Sequence, residues 1–264
     1  MANSHDHYAG AAPAWARDAA LVYAPLARAL VHRWPGPLTG RRVLDAGAGT
    51  GLASAALAEA GARPVATDLS AGMLRWRRDE RPPAVVADVT RLPFATSSLD
   101  GALAAFVLNH LPRPGDGLAE LARVTRPGGA VVAGVYANVA GNGVRDVVDD
   151  AARRAGFTDP DWYVALRTEY APQVGTTASL AAAARDAGLD VVACDVEAVA
   201  VGVRTAEDLV RYRFGQAQYS GWLAAMTPER AAEVRAAAVA AVAPVMEPYR
   251  PLVIALVARV PSPA

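Results

Sequence analysis

The stretch VLDAGAGTG, residues 43–51, is the most informative part of this chain of 264 residues. It begins with an apolar run that is typical of a buried strand. The alanine-rich run LASAALAEAG, residues 52–61, follows it and favours a helix that is closed by the last glycine. Gly47, Gly49 and Gly51 lie between the two predicted elements. A glycine-rich turn between a strand and a helix lets the backbone approach a bound ligand closely.

The spacing of these glycines argues against a phosphate ligand. A dinucleotide site has the pattern G-x-G-x-x-G, and here Leu52 stands where the third glycine is expected. A P-loop needs a lysine, whereas all 26 basic residues of this chain are arginine, which also excludes lysine nucleophiles and Schiff bases. The N-terminus of the following helix attracts an anion, and a carboxylate serves there as well as a phosphate.

Two further acids narrow the choice of ligand. Asp68 lies near the end of a predicted strand, residues 63–70, and Asp88 near the end of another, residues 83–89. An acid at the first position can accept hydrogen bonds from both hydroxyls of a ribose. An acid at the second can accept one from the exocyclic amine of an adenine. A ligand with a carboxylate, a ribose and an adenine, but no phosphate, is S-adenosylmethionine.

Strands alternate with helices up to residue 137, which predicts a parallel sheet covered on both faces. A first helix is expected over residues 13–34, where Pro25 should kink or split it. After residue 137 the rhythm changes to helical segments and two final strands. The other predicted helices are 70–80, 115–129, 179–189, 205–214 and 227–243, and the other predicted strands are 99–106, 130–137, 190–203 and 251–260.

Five motifs that occur in order carry a family resemblance: DAGAGTG (45–51), TDLS (67–70), ADVTRLPF (87–94), FVLNHL (106–111) and LARVTRPGG (121–129). Together they resemble the class I S-adenosylmethionine-dependent methyltransferases, in the branch that includes small-molecule and quinone enzymes. The resemblance is strong over residues 40–137 and weak over the last two strands. It implies an α/β, Rossmann-like, doubly wound sheet of seven mostly parallel strands, with the last strand antiparallel and a helical cap.

The same resemblance implies a binding site for S-adenosylmethionine, and for its product S-adenosyl-L-homocysteine, across the carboxyl ends of the first three strands. The acids would hold the amino group, the ribose and the adenine amine, while apolar side chains would pack on the adenine and the methionine part. As ordinary core residues those apolar side chains would look the same. The predicted cofactor-binding residues are Asp45, Gly47, Gly49, Gly51, Asp68, Leu69, Met73, Asp88, Val89 and Phe106.

His110 follows the fourth predicted strand at the edge of the cleft and is the candidate catalytic base. The alternative is a histidine that only orients its loop, and Asn109 replaces one member of the His-His pair common in the family. Aromatic residues in the flanking segments suit a planar or apolar substrate, or else pack the cap onto the sheet. The predicted substrate residues are Tyr8, Trp15, Tyr136, Tyr170 and Tyr219.

The resemblance divides the chain into four parts. Residues 1–37 are expected to form an N-terminal helical lid, and residues 38–137 the cofactor-binding core. Residues 138–176 are a predicted cap insertion. Residues 177–264 complete the core sheet and contribute cap helices within 205–243.

Composition bears on partners and location. Apolar residues make up 53% of the chain, and acids and bases balance at 26 each, so no general field attracts nucleic acid or an acidic membrane. One cysteine, no leader pattern and no spanning apolar run fit a cytoplasmic protein without stable membrane association. The sequence HDH, residues 5–7, lacks a third strong ligand, so we predict no metal. We expect a monomer or homodimer that acts on a small molecule.

Three functions stay open on these grounds. The first is a methyltransferase that acts on oxygen, nitrogen or carbon of a small molecule, in bacterial secondary metabolism. The second is a methyltransferase for a quinone or lipid precursor. The third is a relative that keeps the cofactor without methylating, as a cyclase or a binding protein, because fold alone does not settle function.

Overall fold

A seven-stranded sheet forms the centre of the computed structural model, which describes residues 6–138 and 143–262. Its strands are β1 (Arg42–Ala46), β2 (Arg63–Asp68), β3 (Ala84–Val86), β4 (Leu99–Ala105), β5 (Thr125–Tyr136), β6 (Asp190–Ala198) and β7 (Leu252–Arg259). They lie in the order β3-β2-β1-β4-β5-β7-β6. Strand β7 is antiparallel to β5 and β6, and the other neighbours are parallel. The predicted fold class is confirmed.

Helices cover both faces of this sheet. They are α1 (Ala12–Ala14), α2 (Ala20–His32), α3 (Leu52–Glu59), α4 (Ala71–Arg75), α5 (Pro114–Val124), α6 (Val144–Arg154), α7 (Asp161–Ala165), α8 (Thr177–Asp186), α9 (Ala206–Phe214), α10 (Ala217–Ala224) and α11 (Pro228–Val242). Successive residues of a strand point to opposite faces. On β4, Leu103 joins the apolar cluster beneath α2 and α3, whereas Ala102 and Ala104 join the one beneath α5 and α8. Burial on both faces explains why the central strand β4 reads as a nearly continuous apolar run.

Pro25 does not split the first helix, although a split was one of the two outcomes expected of it. It lies inside α2, and the irregular stretch is the π-helical segment Trp15–Ala19 that precedes that helix. Proline has no N–H, so the carbonyl four residues earlier loses its helical partner. The backbone N–H of Gly202 donates to this carbonyl, that of Leu21, over 2.9 Å. A contact from a distant loop thus replaces the missing hydrogen bond.

Two predicted helices are shorter than their patterns indicated. Ser70 caps α4 as expected, since its hydroxyl accepts from the N–H of Met73 at 3.2 Å, but α4 ends at Arg75. Arg77 follows with a φ of 45°, which a continuing helix excludes. The predicted helix 115–129 ends at Val124, because its last residues enter β5 through an irregular pairing with β4.

A buried ion pair joins helices beside the sheet. Arg213 of α9 is 1% exposed and donates to both carboxylate oxygens of Asp149 of α6, at 2.6 and 2.7 Å. The hydroxyl of Tyr219 donates to the same carboxylate at 2.7 Å, and Gln216 accepts from the guanidinium. This network joins α6, α9 and α10 beside the sheet. In the described ranges, no helix has the length and apolar character needed to cross a membrane.

Candidate active site

A cavity of about 630 Å³ lies at the carboxyl ends of β1, β2, β3 and β4. The residues that follow each of these strands line it, namely Gly47–Thr50, Asp68–Ser70, Ala87–Val89 and Phe106–Val107. Ligands of open α/β sheets bind in such a crevice, outside the carboxyl ends of the strands. The structure therefore brings most of the predicted cofactor residues to one place.

The glycine-rich loop needs its glycines for two different reasons. Gly47, Gly49 and Gly51 have φ values of 72°, 54° and 96°, which other residues rarely adopt. A Cβ atom on Gly47 would also lie 2.6 Å from the Cβ of Val107, so this position must be small. Gly49 has no such clash, and Gly51 caps α3 without lining the cavity. The loop thus packs against the end of β4 while exposing its backbone to the cavity.

Asp68 faces the cavity from the end of β2. One carboxylate oxygen accepts from the N–H of Gly49 at 2.7 Å and the other from the N–H of Ser70 at 2.8 Å. Burial raises the pKa of this carboxyl above its usual value, although both hydrogen bonds oppose the shift. Each carboxylate oxygen has a second lone pair, so the group can still accept hydrogen bonds from a ligand.

Residues predicted to contact an adenine also line the cavity. Asp88 lines the cavity, and one of its oxygens accepts from both the N–H and the hydroxyl of Thr90 at 2.8 Å. Val89 and Met73 are buried beside it, whereas Leu69 is 45% exposed. All four line the same cavity. An exposed leucine in a cavity wall offers apolar surface to a planar ligand.

Asp45 does not line the cavity, although the family pattern placed it near the ligand. It is fully buried, and its carboxylate accepts from the hydroxyl of Ser54 at 2.5 Å. Burial raises the pKa of Asp45 to about 6. The side chain therefore ties α3 to β1 behind the glycine-rich loop.

Arg81 supports the same loop and was not foreseen from the sequence. Its Nη1 donates to the carbonyl oxygens of Gly49, Met73 and Leu74 at 3.1 to 3.2 Å. Burial lowers the pKa of this guanidinium, while the neighbouring charge of Asp45 acts in the opposite sense. No local pattern marks an arginine 30 residues from a loop as that loop's support.

Aromatic side chains line the other end of the cavity. Phe106 holds a φ of 62°, rare for a bulky residue, and its ring lies 5.6 Å from that of Tyr23. The ring of Tyr8 lies 5.6 Å from Trp15 and 6.1 Å from Trp162. Burial raises the pKa of the Tyr8 hydroxyl well above its usual value, so that hydroxyl is neutral. Tyr23 and Trp162 also line the cavity but were not predicted as site residues, because only their packing in the fold distinguishes them from other aromatic residues.

Only some of the predicted substrate residues line the cavity. Tyr8, Trp15 and Tyr170 line the cavity. Tyr136 lies behind Phe106, with ring centroids 5.0 Å apart. Tyr219 is 1% exposed in the cap network with Asp149 and does not line the cavity, a correction to its predicted placement. A tyrosine on a helix looks alike in sequence whether it faces a ligand or a core.

His110 lies between the two ends of the cavity. Its ring is 5.8 Å from that of Tyr8. Burial, and then the nearby His7, lower the pKa of His110 to about 4. The imidazole is consequently neutral near pH 7 and able to accept a proton.

This sheet order, with a glycine-rich loop after β1 and an acid at the end of β2, defines the class I S-adenosylmethionine-dependent methyltransferase fold. Residues 44–133 match the family described as "Methyltransferase domain" and form a domain of that family. S-adenosylmethionine is the cofactor of this site.

Comparison with individual proteins agrees with the fold. The demethylmenaquinone methyltransferase of Clavibacter sepedonicus is 46% identical over 110 residues, which are 40% of this chain and 45% of that protein. The chain spans about half the length of the curated relatives it matches.

Two solved structures have the same fold. The Haemonchus contortus phosphoethanolamine N-methyltransferase 2, in complex with S-adenosyl-L-methionine, has a TM-score of 0.56 at 20% identity, covering 89% of this chain and 52% of that one. The [4+2]-cyclase SpnF has a TM-score of 0.56 at 22% identity, covering 91% and 82%.

The residues of the cavity fit S-adenosylmethionine. Thr50 and Asp6 each present a buried side-chain oxygen with no hydrogen-bond partner, and both residues line the cavity. Such atoms are costly unless a ligand or water satisfies them. Asp68 keeps lone pairs for a ribose, and the loop at Gly49 has room beside its backbone.

Proposed function

We propose that this chain is an S-adenosylmethionine-dependent methyltransferase whose acceptor is a small, planar and largely apolar molecule. One observation carries the proposal: a single cavity runs from the acids Asp68 and Asp88 to the aromatic wall of Tyr8, Trp15 and Trp162. A cofactor seated on the acids would place its reactive group toward the aromatic end.

The charges around the cavity support an acceptor without negative charge. No arginine is among the described residues that line the cavity. The acidic residues that line it are Asp6, Asp68, Asp88 and Asp161. An anionic acceptor would be repelled, while aromatic faces favour planar rings and positive charge. The balanced net charge of the chain also supports a small molecule over nucleic acid.

The chemistry requires positioning more than acid–base catalysis. When bound, S-adenosylmethionine would supply a methyl group attached to a positively charged sulfur. An acceptor oxygen, nitrogen or carbon would attack the methyl carbon in line with the carbon–sulfur bond, and the sulfur would leave as a neutral thioether. The side chains of Phe106, Tyr8 and Trp162 would hold the acceptor in that line and exclude water. The neutral His110 can accept a hydrogen bond from a hydroxyl or amine acceptor and so orient it, while its lowered pKa makes it a weak base.

A quinone precursor is the second candidate acceptor. Demethylmenaquinone methyltransferases are 46% identical over 110 residues and 39% identical over 130 residues of this chain, and an aromatic cavity suits a quinone ring. The matched stretches cover 40% and 48% of this chain, so more than half of it has no counterpart in those matches. We therefore keep tailoring of a bacterial natural product as the first setting.

Calorimetric titration with S-adenosyl-L-homocysteine tests the cofactor site. We expect micromolar binding to the wild type, at least tenfold weaker binding to Asp68→Ala, and unchanged binding to Asp186→Ala, which replaces an exposed acid of α8. Acceptors are then screened for transfer of a labelled methyl group, with neutral phenols and quinols set against their carboxylated analogues. Failure of the wild type to bind, or a preference for the carboxylated series, would contradict the proposal.

A further inference from the structure

The turn formed by residues 6–11 carries a second carboxylate into the cofactor end of the cavity. Asp6 lines the cavity together with Asp68. One carboxylate oxygen of Asp6 is buried and has no hydrogen-bond partner. We propose that Asp6 shares the ribose hydroxyls of the cofactor with Asp68, so that the N-terminal turn closes on the cofactor and thereby completes the acceptor pocket. This inference rests on the proposed function.

An unsatisfied carboxylate oxygen is the first support. Leaving such a group buried without a partner costs free energy that a donor from a ligand would recover. A ribose offers two neighbouring hydroxyls, each of which can donate one hydrogen bond. Asp68 keeps one lone pair on each oxygen after accepting from two backbone N–H groups, and Asp6 adds a further acceptor to the same cavity.

The closeness of the two acids is the second support. Asp6 lies near enough that its charge contributes to raising the pKa of Asp68, after the larger effect of burial. Two carboxylates in one cavity repel each other until donors or a positive charge lie between them. The nearby guanidinium of Arg81 is engaged with backbone carbonyls behind the loop and does not line the cavity.

The construction of the turn is the third support. The N–H of Ala9 donates to the carbonyl of Asp6, and the N–H of Ala11 to that of Tyr8, both at 3.0 Å. The turn rests on α4 at Gly72, where an added Cβ would lie 3.5 Å from the Cα of Ala9. These contacts join Asp6 and Tyr8 in one unit, so that a hydrogen bond at Asp6 also places the ring of Tyr8.

Tyr8 links this unit to the acceptor pocket. Its ring contacts Trp15, His110 and Trp162. Since these side chains form the aromatic wall, seating the turn on the cofactor completes the place where the acceptor binds. Binding is then ordered, with the cofactor first and the acceptor second.

The experiment compares two ligands on matched variants. Wild type, Asp6→Ala, Asp6→Asn and the surface control Asp186→Ala are titrated with S-adenosyl-L-homocysteine and with 5′-methylthioadenosine, which keeps the ribose but lacks the amino-acid part. We expect Asp6→Ala to bind both ligands about tenfold more weakly, Asp6→Asn to lose less, and the control to lose nothing. Thermal unfolding without ligand checks that each variant is folded.

Tryptophan emission supplies an independent readout of the turn. Trp162 stacks on His7 with ring centroids 4.9 Å apart and lies beside Tyr8, so closure should shield it from acrylamide. Saturating S-adenosyl-L-homocysteine is expected to reduce quenching in the wild type, and much less in Asp6→Ala or in Trp162→Phe.

Each contrary result has a separate meaning. Equal affinity of wild type and Asp6→Ala for both ligands overturns the inference and leaves the methyltransferase proposal standing. A loss for S-adenosyl-L-homocysteine alone would show that Asp6 binds the ammonium group, which overturns the ribose assignment. Absence of binding to the wild type would count against the proposed function itself.

Discussion

The Nη1 atom of Arg81 donates a hydrogen bond to the carbonyl oxygen of Gly49 at 3.2 Å, and thereby holds the glycine-rich loop from behind. The same atom reaches the carbonyl oxygens of Met73 and Leu74 at the end of α4. One side chain thus joins the loop after β1 to the helix after β2. These are the two segments between which a ribose would lie.

Replacing Arg81 should weaken cofactor binding without direct contact to the cofactor. In Arg81→Met the stem is kept and the three hydrogen bonds are lost, so we expect about tenfold weaker binding of S-adenosyl-L-homocysteine by calorimetry. Arg81→Lys keeps the charge but loses the planar set of N–H donors. Its affinity for S-adenosyl-L-homocysteine should lie between those of the wild type and Arg81→Met. Exposed Arg230→Met serves as the control. Wild-type affinity in Arg81→Met would refute this support role.

Two alanine substitutions in the glycine-rich loop should separate the effect of backbone strain from the effect of steric crowding. In Gly49→Ala only the positive φ is unfavourable, which costs about 1 kcal/mol of the free energy of unfolding. In Gly47→Ala the new methyl group also meets Val107, and we expect a loss of about 2 to 3 kcal/mol together with loss of cofactor binding.

Adding Val107→Ala to Gly47→Ala should restore part of that stability, since it removes the atoms that clash. Urea unfolding of the single and double variants measures the coupling. Strict additivity of the two substitutions would show that the clash is not the cause.

His110 should make the folded state less stable in mild acid. Its pKa is lowered to about 4 in the fold, by burial first and by His7 second, against about 6.5 in an unfolded chain. Between these values the unfolded chain binds a proton that the folded chain does not. The contribution of His110 to the free energy of unfolding is therefore complete above pH 6.5 and is lost as the pH falls toward 4.

Comparison with His110→Asn isolates this effect, because the buried Asp45, whose pKa is raised to about 6, titrates in both proteins. The difference in unfolding free energy between wild type and variant should shrink from pH 7 to pH 5. The exposed His32→Asn is the matched control. A difference that is constant over this range would contradict the lowered pKa.

The buried ion pair of the cap should matter for stability but not for cofactor affinity. Asp149→Ala leaves the guanidinium of Arg213 buried without its partner, which costs about 3 to 5 kcal/mol. Tyr219→Phe removes one hydrogen bond to the same carboxylate and should cost about 1 kcal/mol. Folded Tyr219→Phe should bind S-adenosyl-L-homocysteine as the wild type does. Weakened binding would place the cap network in contact with the cofactor site.

Much of the fold follows from local patterns. The glycines after β1 and the caps Ser70 and Thr205 mark element boundaries in sequence, because each meets a backbone requirement within a few residues of itself. Five motifs in register predicted a seven-stranded sheet with an antiparallel last strand, and the structure confirms it. The division into lid, core and cap stays a prediction.

Helix lengths were less predictable. The pattern of residues 70–80 suits a helix, yet the chain leaves α4 after Arg75 and turns toward β3, where Arg81 reaches back beneath the loop. Pro25 lies in an unbroken helix because Gly202, distant in the chain, supplies the donor that proline lacks. Competition between local propensity and tertiary contacts decides such cases.

The class of fold could be predicted from the sequence, and the glycine-rich loop and Asp68 could be proposed from it as parts of the cofactor site. These depend on short spacings and on the alternation of elements, which a linear pattern records. Folding brings Arg81 to the loop, places Tyr219 in the buried network with Asp149 rather than in the cavity wall, and brings Asp6 and Asp68 into the lining of one cavity. Each of these contacts joins residues far apart in the chain, and its energy arises only when packing has removed water from between them.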